Sequence, residues 1–288
     1  ILKIKPMILL DAGLFSKHFI VLLREGFEAF LVLFIILGFL NKTGRGQFRK
    51  SVFLGAGLAV GLSLLLALIL YGFQSSLEGQ TGKIFEGITM WITAVLLGGM
   101  ILWLIRFQVN VSAMKEETAR LADQNRGWGL ALLVFFSIFR EGAETVLFLL
   151  PKEGETEFWA GLGGGLLGLG TAFALSWALF RGLIKLNYKA FFGTTTALLL
   201  FMAAGMAAYG THELIEAGWL PALQAEIWNI NPPVGADGSY PALHEKGWFG
   251  GVLKAIFGYN GNPDLLEFLI WLGYLILGFG LWARWSRK

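Results

Sequence analysis

The chain has no cysteine, so disulfides, thiolate metal sites and thiol redox chemistry are excluded. Charge is scarce as well: Asp, Glu, Lys and Arg make up 15% of the 288 residues, where a soluble domain carries about a quarter. A phosphate-binding loop is missing too. The nearest stretch, "GRGQFRKS" (44–51), lacks the second glycine and the Gly-Lys-Ser/Thr order that cradle a nucleotide. Any energy input must then come from a gradient, the membrane potential or a partner's redox step. What the chain does have is apolar mass, 56% hydrophobic and 15% aromatic residues.

That mass is organised in long runs. A bilayer core of roughly 30 Å needs about 20 apolar residues in a helix. Seven segments meet or nearly meet this length: Phe19–Leu40, Ser51–Phe73, Ile84–Ile105, Trp128–Leu150, Phe158–Phe180, Phe191–Gly210 and Leu265–Trp282. The expectation is an all-α polytopic membrane protein with seven transmembrane helices in a single domain, 18–285. Residues 1–17 are too short and interrupted to span and read as an extracytoplasmic or interfacial segment. The start at Ile1 reads as a boundary left by processing or cutting. Alternate loops carry 14 and 4 Lys and Arg residues, so the positive-inside rule puts the N-terminus outside and the C-terminus inside. Three lysines in the N-terminal segment dissent. On the outer side ten acidic residues face those four lysines, a net charge of −6 that concentrates cations at the surface.

Two runs contain charge where it is most expensive. "REGFE" (24–28) lies in the first helix and "REGAE" (140–144) in the fourth, 116 residues later. Residues three and four apart share a helix face, so Glu25 and Glu28 point one way with Arg24 a turn from Glu28; Glu141, Glu144 and Arg140 repeat the arrangement. A charge at the bilayer centre costs at least about 2.5–3.5 kcal/mol, so these groups face the bundle interior. Counted from the outer helix ends, Glu25 and Glu144 sit ~9 Å deep and Glu28 and Glu141 ~13 Å. One shared site of four carboxylates is the economical reading, and oxygen-only ligands select hard cations such as Mg, Ca, Mn or ferric iron. The bland alternative is a pair of Arg–Glu clamps that only pin helices. Three spans separate the copies, which makes helices 1–3 and 4–6 an inverted repeat with helix 7 as an extra, a transporter architecture. Gly57/Gly61, Gly161/Gly165 and Gly164/Gly168 read as packing pairs, as do Gly26 and Gly142 inside the motifs.

Further acids gather toward the outer ends of other helices: Glu86 in helix 3, His212, Glu213 and Glu216 after helix 6, and Glu267 in helix 7. Together they read as a ladder down to the motifs. The external loop 211–263 is long, which points to a function; "GWLPALQAEIW" and "GWFGGVLKAIFGY" read as short amphipathic helices on the membrane surface or a partner dock. An enzyme is disfavoured. "HELIE" (212–216) has Glu216 where a zinc protease needs its second histidine, and no histidine follows either glutamate pair as di-iron sites require.

With these residues in view, the sequence resembles the oxidase-dependent iron permeases, the family of the fungal high-affinity ferric permease and the bacterial iron permeases. The doubled R-E-G-x-E motif carries the resemblance, with "HELIEAGWLP" (212–221) and "FGYNGNPDLLE" (257–267) beside it. It covers essentially Phe19 to Trp282. It implies inward transport of iron, expected as Fe³⁺, with Glu25, Glu28, Glu141 and Glu144 handling the ion. It also implies a multi-pass protein of the cell membrane, the bacterial inner membrane foremost. An extracytoplasmic oxidase or iron-binding protein would be the partner. Iron is then cargo; no cofactor and no nucleic acid is expected, and lipid is the other contact. The alternatives are a transporter of another metal such as manganese or lead, a proton-coupled carrier, and, less favoured, an intramembrane metalloenzyme.

Overall fold

The computed structural model describes residues 12–75, 79–106, 111–124, 126–149, 155–183, 187–235 and 240–285. Among them there is no strand, and nine α-helices follow one another: α1 (Ala12–Lys42), α2 (Arg49–Ser75), α3 (Gly79–Arg106), α4 (Val111–Asp123), α5 (Gly127–Leu149), α6 (Glu155–Phe180), α7 (Tyr188–Glu216), α8 (Trp248–Phe257) and α9 (Leu265–Trp285). Hydroxyl residues sit inside these helices at little cost. Ser63, Thr93, Ser137, Thr145 and Thr211 each donate to the carbonyl four residues back, so these five hydroxyl hydrogens are not stranded in the apolar interior. Among the described residues, four helical stretches are long and apolar enough to cross a membrane: Gly46–Phe73, Trp159–Phe180, Gly193–Glu216 and Leu265–Arg284. Large apolar side chains such as Leu58, Leu64, Leu68, Trp159, Leu166 and Leu277 are exposed along them. The molecule is a polytopic integral membrane protein.

The packing follows an exchange rule. α1 packs along α6, α2 along α5, and α3 along α7. Close backbone approach makes the first two pairs possible. In α6, a Cβ on Gly164 would stand 2.2 Å from the Phe15 carbonyl oxygen, and one on Gly168 2.5 Å from that of Phe19. In α2, a Cβ on Gly55 would stand 2.2 Å from the Ala131 carbonyl oxygen of α5. The α6 pair Gly164/Gly168 therefore packs as its spacing predicts. Gly57 and Gly61 do not, since nothing lies within 4 Å of either Cβ position. They are two and six residues beyond Gly55, on the opposite side of α2.

Two apolar clusters cap the bundle's middle. One gathers Val21, Leu97, Ile101, Phe148, Leu199, Leu200 and Met206, and the other Ile36, Leu40, Phe48, Val52, Leu121, Leu130 and Val134. α4 belongs to the second: Met114 packs against it, Leu121 and Ala122 are nearly buried, and Asp123 pairs with Arg45.

Three expectations change. α1 begins at Ala12, so the last residues of the 1–17 segment are its first turns, with His18 Nδ1 3.0 Å from the Leu14 carbonyl oxygen. In the long loop, "GWLPALQAEIW" (218–228) is not helical. Gly218 at φ +73 ends α7, and Leu223 and Glu226 hold φ of 61 and 48, values a right-handed helix does not contain. The second stretch is α8, but it does not float on the surface. It packs against α1 and α7, and Gly258, its left-handed cap, has its Cβ position 2.6 Å from the Cα of Gly205. Gly205 lies 11 residues before the end of α7, about 16 Å along the axis, so the α8 turn reaches down the bundle. Glu78, Glu153 and Asp237 of the acidic loops lie outside the described residues.

Adding one methyl to Gly55 should destabilise the protein by about 1–3 kcal/mol, the range for an overpacked interior. Gly57→Ala should leave it unchanged. Thermal unfolding of the two variants in detergent checks the contrast.

Candidate metal centre

Both motifs fall in one layer of the bundle. Along α1 the order is Val21 of the first apolar cluster, the motif, then Ile36 and Leu40 of the second; along α5 it is Leu130 and Val134 of the second cluster, the motif, then Phe148 of the first. The helices run in opposite senses, so the charges meet between two apolar plugs. Each motif glycine turns its bare face to a neighbour. A Cβ on Gly26 would meet Leu169 and Ala172 of α6 at 2.9 and 3.2 Å, and one on Gly142 would meet Ser63 Oγ of α2 at 2.1 Å. Glycine in R-E-G-x-E thus serves packing, on the side of the helix away from the carboxylates.

The charged face is deeply buried: Arg24 is 0% exposed, Glu25 1%, Glu28 4% and Glu141 5%. Arg24 Nη1 donates to Glu25 Oε1 at 2.6 Å, and its Nη2 stands 3.0 Å from Glu28 Oε1. Arg140 is less enclosed. Its Nε and Nη2 donate to Glu141 Oε1 at 3.0 and 2.7 Å; Nε lies 3.5 Å from Glu144 Oε1, and Nη2 crosses to Glu28 Oε2 at 3.7 Å. Oxygens of Glu25, Glu141 and Glu144 lie within 4.8 Å of one another. Three of the four motif carboxylates, drawn from both helices, therefore converge. Glu28 stands between the two guanidinium groups instead. One oxygen of each converging carboxylate (Glu25 Oε2, Glu141 Oε2, Glu144 Oε2) is buried with no hydrogen-bond partner. A buried acceptor left unmatched costs free energy, and three of them pointing into one polar layer form a set that a cation would satisfy.

The outer groups gather around the last turns of α7 and the first turn of α9. Glu86 and Glu267 line a single cavity of about 230 Å³ with Met90, Met202, Met206 and Tyr209. His212 Nδ1 lies 3.6 Å from Glu267 Oε2, while Glu216 is tied to Lys83, and Glu213 is 7% exposed. Asp264, counted in the sequence only as a loop acid, joins His212 and Glu267 within 4.8 Å. Its signal was the D-x-x-E spacing at the start of α9, a capping pattern.

An all-helical bundle that buries opposed carboxylate pairs between apolar plugs fits the architecture of a membrane transporter. A model of the iron permease FTR1 family matches residues 15–287. The chain is 35% identical over 262 residues to the ferrous iron permease EfeU of Escherichia coli O6:K15:H31 (strain 536 / UPEC), covering 90% of this chain and 91% of that one. It is 30% identical over 264 residues to the ferrous iron permease EfeU of Yersinia pestis, covering 90% and 89%, and 34% identical over 268 residues to a protein of Archaeoglobus fulgidus, covering 92% and 93%. No solved structure matches. The chain belongs to the iron permease FTR1 family.

Arg24→Lys tests the buried fork. An ammonium keeps the charge but not the planar geometry that engages Glu25 and Glu28 together. Breaking a buried pair outright costs about 3–5 kcal/mol, and Lys should lose part of that. The unfolding midpoint should fall clearly, whereas Arg120→Lys in the exposed Glu117 pair should leave it unchanged.

Proposed function

We propose that the protein carries iron inward across the cell membrane through a site built by both motifs. The observation that supports this reading most directly is the set of three buried carboxylates from α1 and α5, each with one unbonded oxygen. Seven helices, α1, α2, α3, α5, α6, α7 and α9, are the spans. α1 and α5 each carry three motif charges within an otherwise apolar helix. The exchanged packing, α1 with α6, α2 with α5 and α3 with α7, supports an inverted repeat of α1–α3 and α5–α7 with α9 outside it, a single domain about one site. The N-terminus lies outside and the C-terminus inside, on the charge asymmetry of the loops. In a bacterium this is the inner membrane.

In this account Arg24 is the fixed counter-charge and Arg140 the displaceable one. Arg24 is enclosed completely, while Arg140 is 37% exposed and touches Glu28, Glu141 and Glu144 at once. An arriving cation competes with Arg140 for the carboxylates; when it leaves, Arg140 re-forms the contacts and the layer closes. Iron is cargo, and no resident cofactor enters the scheme. Glu86, His212, Glu213, Glu216 and Glu267 attract and pass ions toward the layer. An extracytoplasmic oxidase or iron-binding protein delivers the ion near the 211–263 loop. The membrane potential favours uptake, by roughly 7 kcal/mol per 100 mV for a trivalent ion.

The cargo form proposed is Fe³⁺, because an oxygen-only donor set favours hard ions. A second reading, Fe²⁺, is favoured by the charge balance: four carboxylates and two guanidinium groups leave −2, which a divalent ion neutralises. The EfeU relatives carry the word ferrous in their names.

Purified protein in vesicles, offered radiolabelled Fe²⁺ under reductant and chelated Fe³⁺ separately, checks function and valence together. Glu25→Gln, Glu141→Gln and Glu144→Gln should each insert normally and lose uptake at least tenfold. Normal uptake by any two of these variants contradicts the shared site.

A further inference from the structure

The last turn of α7 and the first turn of α9 meet around a group of donors that differs in kind from the motif layer. His212 Nδ1, a carboxylate oxygen of Asp264 and one of Glu267 all lie within 4.8 Å of one another. The Nδ1 atom is itself buried and makes no hydrogen bond within normal distance, on an imidazole that is 34% exposed and faces Glu216 and Glu267 as ion-pair partners. Its distance to Glu267 Oε2 is 3.6 Å, too long for a hydrogen bond. It is close to the spacing of two ligands that share one ion, since bonds of about 2.1 Å in a tetrahedral shell put donors roughly 3.4 Å apart.

The surroundings fit the same description. The other imidazole nitrogen, Nε2, faces Glu216 Oε1 at 3.4 Å, and Glu216 is anchored by Lys83. A carboxylate behind a histidine fixes the tautomer that keeps the opposite nitrogen's lone pair free, which is the usual support for a metal-bound histidine. Glu267, 3% exposed, has Oε1 held by Asn260 Nδ2 at 2.7 Å. Asp264 Oδ1 accepts from the Glu226 backbone N–H at 3.3 Å. Each proposed ligand is thus steadied by a partner of its own. Glu267, alone of the three, also lines the 230 Å³ cavity beside α7. Glu267 Oε2 lies 3.4 Å from the Asp264 backbone N–H, a helix-capping contact that one oxygen can keep while the donors turn to an ion.

We propose that His212, Asp264 and Glu267 form a second metal site, distinct from the motif layer, for a divalent first-row transition ion. One nitrogen and two oxygens favour such an ion over Mg²⁺ or Ca²⁺, which take oxygen donors. Only the identity of the ion as iron rests on the iron-permease reading; the existence of the site does not. In the transport scheme it is a selectivity station, holding a transition ion and passing over the abundant alkaline-earth ions.

Co²⁺ alone serves as the probe, since its visible absorption reports nitrogen coordination. The full chain in detergent carries Glu25→Gln and Glu144→Gln, which removes the motif site from the count. This protein should still retain about one Co²⁺, and a hundredfold excess of Mg²⁺ should leave it in place. Adding His212→Gln should weaken Co²⁺ binding at least tenfold and abolish the imidazole-dependent absorption. Glu267→Gln, which keeps an acceptor for Asn260, should weaken it similarly with an unchanged unfolding midpoint. Where Glu267→Gln fails to fold, His212→Gln decides. Failure to retain Co²⁺ in the Glu25→Gln/Glu144→Gln protein, displacement of that Co²⁺ by Mg²⁺, or unaltered affinity after His212→Gln overturns the proposal. A wild type that binds Co²⁺ here yet moves no iron would sink the transport reading and leave this one standing.

Discussion

Arg24 is closed off from bulk solvent. Its guanidinium is wholly enclosed, and Glu25 and Glu28 beside it are 1% and 4% exposed. Taking each ion out of water costs several kcal/mol, offset only where geometry lets the opposite charges answer one another. The rest of the bundle follows from that requirement. One motif leaves a net −1 inside, and the second, arriving at the same level, brings the layer to −2. Arg140 reaching across to Glu28 links the two motifs, and the residual charge is what an added cation would offset.

Matching the levels requires helices of opposite direction that touch closely, and glycine supplies the closeness. Gly26 seats α1 on α6 and Gly142 seats α5 on α2, while Gly164 and Gly55 bring the same helix pairs to backbone contact elsewhere. The motif therefore has two faces with separate tasks: carboxylates toward the shared layer, bare glycine toward the supporting helix. The residual misfit, four carboxylate oxygens and two Arg24 nitrogens with no hydrogen-bond partner, is where a structure built only for stability would have been expected to match donors to acceptors. Unmatched oxygens of this kind are what an arriving cation would satisfy.

Much of this was readable from residue order. The long apolar runs give the helices, and the two R-E-G-x-E copies give the polar layer and its equal depth, because helix rise converts position into height. The partition inside the layer was not readable. Whether Glu28 joins its fellow carboxylates or sits between two arginines depends on side-chain directions set by α2 and α6. α4 was passed over because its apolar positions, Met114, Leu121 and Ala122, are few among charges, yet they join the cluster of Ile36 and Leu40. The stretch 218–228 looked helical by composition, but Gly218 and the positive φ of Leu223 and Glu226 turn it away. Gly57 and Gly61 had the right spacing on the wrong face. Asp264 was hidden as one loop acid among ten, because only the fold brings the start of α9 to the end of α7.

The central claim is that both halves of the chain hold one ion. Anomalous diffraction at the iron edge, from crystals of the wild-type protein loaded with iron, tests it directly. The account predicts a peak in the motif layer about 2 Å from carboxylate oxygens of Glu25 on α1 and of Glu141 or Glu144 on α5. Iron ligated by one of these helices alone, or a motif layer without iron while ions sit elsewhere in the bundle, would contradict it.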